Sequence, residues 1–161
     1  MKNLRKELAK LWTGELAAVI SFWICFYVVK ECFTNTSMIL SIIYPLIILS
    51  FILIQGSVYW WILLKRLSKP KFAEWNTRKI YSFLKATDIF LICLGLPVIF
   101  INSKNAVVMT LAIFIWIFAI IEWVNYYKIR LSYSYNPMIL LRNIKNGTLK
   151  KSRLAKEIAN R

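Results

Sequence analysis

Four stretches of this chain, residues 12–29, 38–64, 80–101 and 106–127, are built almost wholly from apolar side chains. Each approaches or exceeds the roughly 20 residues a helix needs to cross the hydrocarbon of a bilayer. Lipid offers a backbone no water to bond with, and a helix satisfies its own N–H and C=O groups within one segment. The pattern therefore predicts an all-α integral membrane protein: a four-helix transmembrane bundle over residues 1–127, then a basic tail over 128–161. The second stretch is long enough to tilt or to reach past the hydrocarbon. The first has the outline of a signal peptide, but Val29-Lys30-Glu31 is no small-residue cleavage site, so it is expected to remain as a span.

Charge sets the expected orientation. The 161 residues are 59% hydrophobic and carry a formal net charge of +15. Nineteen Lys and Arg fall in the start, the 65–79 connection and the tail, against Lys30 and Lys104 in the other two connections. Basic residues stay on the cytoplasmic side, which predicts a multi-pass protein of the cell's inner membrane with N-in and C-in termini. Trp12, Tyr59, Trp60, Trp61, Tyr81, Trp123, Tyr126 and Tyr127 lie near the same ends, where an interfacial belt is expected.

Lys65, Arg66, Lys69 and Lys71 in the inner connection, with Lys150, Lys151 and Arg153 in the tail, are expected to hold anionic lipid headgroups or an acidic partner. In the tail Asn136 caps a helix, Pro137 occupies its first turn, Gly147 ends it and Thr148 caps a second. Leu149, Leu154 and Ile158 make that second helix basic and amphipathic. It is expected either to lie among headgroups or to be a solvated tail that folds on the membrane. The basic residues adjoin hydrophobic spans rather than forming a polar domain, so no nucleic-acid partner is expected.

Several chemistries are excluded. The sequence has no histidine, which removes Ser-His-Asp and Cys-His relays and histidine-ligated zinc. Cys25, Cys32 and Cys93 form no C-x-x-C pair. On one helix Cys25 and Cys32 would be about 10 Å apart, too far for a disulfide, so the cysteines read as small apolar packers. No glycine-rich phosphate loop, H-E-x-x-H or G-x-S-x-G string occurs. No enzymatic activity, cofactor or metal is expected.

Ionisable residues within spans are costly and default to functional candidates. Here they are Glu15, Asp88 and Glu122, with Lys85 one turn before Asp88. At 1.5 Å per residue the three acids lie about 7, 13 and 9 Å from the nearest flanking basic residue. They share one layer, which Gln55 and Asn125 also reach. As structural glue, Lys85 and Asp88 would neutralise each other at i, i+3 and the glutamates would pair with loop or tail cations. As a site, an excess of carboxylate over amine would carry protons or recruit a cation. Glu122 is expected to point inward, toward Glu15 and the Lys85–Asp88 pair.

Gly14, Ala18, Ser21 and Cys25 form a small-residue stripe suited to close helix contact, with another membrane protein or a second copy. Pro45 and Pro97 are expected to kink their helices. The favoured function is a non-enzymatic accessory subunit with a basic surface. The alternative is a small cation or proton-coupled exporter using the intramembrane acids.

Overall fold

The structure, a computed structural model, describes residues 2–33, 35–129 and 151–159. Helices α1 (Lys2–Val29), α2 (Thr36–Arg66), α3 (Glu74–Asn102) and α4 (Ala106–Tyr127) follow one another, with a 3₁₀ turn at Lys30–Cys32. A short helix, α5 (Arg153–Ala159), belongs to the tail. All four long helices are long and apolar enough to cross a membrane.

The apolar run of α4 matches its helical bounds because a cap defines the start: Asn105 Oδ1 accepts from the Val107 N–H at 2.8 Å. By contrast α1 starts at Lys2 and α3 at Glu74, both well before their apolar runs. Leu, Ala, Lys and Glu favour helix in water as well as in lipid, so the helix outlasts the hydrophobic pattern. Both α2 and α3 continue as helix through Pro45 and Pro97.

The central helix is α2, which packs on α1, α3 and α4, while α3 also packs on α4. Ile48, Leu49, Ile52 and Ala119 fill the contact, and Ile20, Phe83, Phe90 and Phe114 face outward. Apolar surface gains little by leaving lipid, so close approach and polar bonds must hold such helices together. Two glycines provide the close approach. A Cβ on Gly56 would overlap the Tyr126 ring, and one on Gly95 would overlap the Trp116 indole. Each lets an α4 aromatic lie against a neighbouring backbone. Trp116 Nε1 then donates to the Ile92 carbonyl at 2.9 Å. Trp23 Nε1 donates to Ser50 Oγ at 3.0 Å across α1–α2, and the Tyr44 hydroxyl to the Leu91 carbonyl at 3.1 Å across α2–α3.

Several residues depart from the sequence expectation. Tyr59, Tyr81, Trp123, Tyr126 and Tyr127 are buried, so most of the expected belt is an aromatic core; Trp61 stays exposed. Their rings fill space beside the polar layer, and several of their hydroxyls bond across helices. Cys25 and Cys93 are exposed rather than packed inside. The small-residue stripe is no departure: Ala18 packs on the core, while Gly14, Ser21 and Cys25 are exposed and nothing lies near a Gly14 Cβ, leaving that face of α1 open.

The tail departs as well. Asn136, Pro137, Gly147, Thr148, Leu149 and Lys150 lie outside the described residues. Ser152 caps α5 by accepting from the Ala155 N–H at 2.9 Å. Leu154 is buried, and Ile129 and Lys151 form an antiparallel bridge, so this part of the tail is docked on the helices.

Candidate functional site

Consecutive tyrosines at the end of α4 divide the polar layer into two sites. Residues four apart share a helix face, so Glu122 goes with Tyr126 and Trp123 with Tyr127. The α2 helix is divided in the same way, with Gln55 on one side and Gly56, which seats Tyr126, on the other.

The first site is closed. Asp88 is completely buried, and its Oδ1 accepts from Gln55 Nε2 at 2.8 Å. Gln55 Oε1 accepts from the Tyr127 hydroxyl at 2.6 Å, and the Gln55 backbone carbonyl from the Tyr81 hydroxyl at 2.6 Å. One glutamine thus joins α2, α3 and α4. Its amide orientation is fixed chemically: an ionised carboxylate can only accept, so Nε2 faces Asp88 and Oε1 is left to accept from the tyrosine. The Asp88 carboxylate also lies near the Tyr127 hydroxyl, and its Oδ2 completes no hydrogen bond of regular geometry. Lys85 is half-buried and makes no ion pair with Asp88 among the described residues. The expected self-neutralising pair is therefore replaced by an amide bridge from another helix.

The second site is a chamber of about 250 Å³. Glu15 of α1 and Glu122 and Asn125 of α4 line it, with Tyr59, Trp60 and Tyr126 as aromatic walls. The Asn125 amide donates to Glu122 Oε2 at 3.3 Å. Glu15 lies within electrostatic reach of Glu122. The Tyr126 hydroxyl faces Glu15 and the Trp60 indole, closing a hydrogen bond of regular geometry to neither. Among the described residues lining the chamber the one cation is Arg153, from α5. The expected single cluster is thus two centres: Glu15, Glu122 and Asn125 share the chamber, whereas Gln55 and Asp88 lie on the other side of the α2–α4 contact.

Ser152 and Leu154 complete the chamber wall together with Arg153. Ser152 Oγ donates to the Tyr126 carbonyl, and its N–H to the Lys128 carbonyl at 3.2 Å. Farther along, Glu157 accepts from the Tyr59 hydroxyl at 3.1 Å and pairs with the Arg66 guanidinium at 2.8 Å. Arg66 also donates to the Phe72 carbonyl at 2.9 Å and to Thr77 Oγ1 at 3.1 Å. That bond helps hold the connection in which Ala73 adopts a left-handed φ of 52°. Arg66, expected on a lipid-binding surface, is instead the inward anchor of a loop and a tail helix. Lys65, Lys69, Lys71, Lys151 and Arg153 are exposed.

Sequence reasoning missed Trp60 and Tyr126 as walls, Tyr127 and Tyr81 as partners of Gln55, and Glu157 as an anchor. One signal was available: Glu157 is the single acid among nine Lys and Arg after Tyr127.

No group of three or more Asp, Glu, Cys or His able to hold a metal ion occurs among the described residues. Set against protein-family models, curated proteins and solved structures, the chain matches none of them.

Proposed function

We propose that the protein is a cell-membrane protein with both termini cytoplasmic that binds a cation in the acidic chamber and exchanges it for protons across the membrane. One observation carries this reading: Glu15 and Glu122 share a chamber to which the spanning helices contribute no Lys or Arg. Removing charge from water is costly, and a pair of acids held without a span cation is stabilised by a ligand that supplies the positive charge. At the opposite end of the helices Ile42, Ile99, Val108 and Ala112 pack into a dry cluster. A polar chamber at one end and an apolar seal at the other suit alternating access. In proteoliposomes with an internal pH dye, an imposed cation gradient should drive proton movement, and Glu122→Gln should abolish it while leaving a folded protein. Unchanged proton movement in Glu122→Gln would exclude the chamber as the coupling site.

A second reading, an accessory protein that holds anionic lipid, is favoured by exposed Lys65, Lys69 and Lys71. The Lys65 ammonium lies 5.5 Å from the Trp61 ring centre, joining a cation to an interfacial aromatic. Charge-removing substitution of these lysines should lower the anionic lipid retained through purification, and equal retention would remove that reading.

A further inference from the structure

We propose that the chamber takes a small organic monocation, an ammonium compound that also carries a hydrogen-bonding oxygen. The inference rests on the chamber being a cation site and adds the class of ligand.

Three features set that class. The first is size. A liquid water occupies about 30 Å³, so about 250 Å³ is far more than one dehydrated inorganic ion fills and suits a molecule of several heavy atoms. The second is the wall. Tyr59, Trp60 and Tyr126 present aromatic surface, which holds alkylammonium groups through ring faces and methylene contact and offers little to a hard metal ion. The two carboxylates fall short of the oxygen shell that a divalent ion requires.

The third is the pattern of unmet hydrogen bonds. Tyr126 is 4% exposed, and its hydroxyl is unpaired at regular geometry; the buried Trp60 Nε1 beside it is unpaired too. The nearest groups, Glu15 for the hydroxyl and Tyr126 for the indole, do not complete those bonds; incompletely met buried donors cost free energy, and both border the chamber. A ligand oxygen would accept from them, while its ammonium group donates to Glu15 and Glu122. Charge count agrees: among the described residues lining the chamber, two carboxylates face one guanidinium, Arg153, which leaves room for one positive charge. An amino alcohol meets all three demands. Sodium ion lacks the size and the acceptor, and a simple alkylammonium lacks the acceptor.

The test uses the full-length protein in nanodiscs and a hydrophobic carbodiimide, which modifies membrane-embedded carboxyl groups, read by peptide mass spectrometry at Glu15 and Glu122. N,N-dimethylethanolamine, a tertiary amino alcohol that cannot form an amide with an activated carboxyl, should slow modification about tenfold, and sodium or magnesium at matched ionic strength should not. N,N-dimethylethylamine, protonated at neutral pH and lacking only the hydroxyl, should need concentrations about fivefold to tenfold higher, the ratio one neutral hydrogen bond provides. Tyr126→Phe, checked for folding by size exclusion, should lower that ratio. Equal protection by the two tertiary amines in the unaltered protein overturns the oxygen assignment without needing the variant. Protection by sodium or magnesium alone overturns the organic class and leaves the cation reading intact. Protection by no cation, with both glutamates modified, overturns both.

Discussion

The Arg66 guanidinium and the Glu157 carboxylate meet at 2.8 Å, joining the end of α2 to a helix from the far end of the chain. Both side chains are under one-fifth exposed, so the pair is shielded enough to matter. Glu157 also accepts from Tyr59, and the helix it anchors forms one wall of the acidic chamber. Burial of an acid from a basic tail is thus what brings α5 to the chamber.

Breaking that anchor should release α5. Glu157→Gln should cost about 1–3 kcal/mol, the worth of a hydrogen bond to a charged partner. Arg66→Ala should cost more, since it also frees the Phe72 carbonyl and Thr77. Limited trypsin digestion checks this: cleavage after Arg153 and Lys156 should accelerate in both variants. Unchanged cleavage would mean that Ser152 and Leu154 hold the helix alone.

The glycines should differ by location. Gly56→Ala and Gly95→Ala push a methyl group into Tyr126 and Trp116 and should each destabilise by about 1–3 kcal/mol. Gly14→Ala meets open space and should leave thermal unfolding in detergent unchanged or slightly raised, because alanine favours helix. A loss at Gly14 equal to that at Gly56 would place an unseen contact on α1.

Gln55 should be harder to replace than Asp88. Gln55→Leu strands a buried carboxylate and the Tyr127 hydroxyl together, at a cost of about 2–5 kcal/mol. Asp88→Asn keeps an oxygen to accept from Gln55 and removes a buried charge, so its melting temperature should equal or exceed that of the unaltered protein. A large loss in Asp88→Asn would show that the charge itself is needed.

Orientation has its own check. Cysteines placed at Asn35 or Ser103 should react with an impermeant reagent outside intact cells, and one at Ser68 should not. The expectation rests on nineteen Lys and Arg facing two across the connections. Reaction at Ser68 would reverse it.

Much of the scaffold was readable from residue types. Four apolar runs gave four helices, and the run from Ala106 to Tyr127 coincides with α4 from end to end. The polar layer was readable as height, because rise per residue is constant along a helix. Its division was not. Whether Glu122 meets Glu15 or Asp88 depends on how α4 is rotated against α2, and that rotation is set by Gly56 receiving Tyr126. Tyr126 and Tyr127 looked interfacial for the same reason: chain position gives depth, while burial depends on which face the neighbouring helices cover.

Whether the two glutamates are glue or a cation site is decided most directly by the unfolding temperature of the ligand-free protein. Two carboxylates facing one guanidinium still repel each other, so Glu15→Gln and Glu122→Gln should each raise stability, by about 0.5–2 kcal/mol, as replacements at strained functional sites do. The double variant should gain less than the sum, since either change alone removes the repulsion. Each single change lowering the melting temperature, with the losses adding in the double variant, would contradict a cation site and make both acids structural.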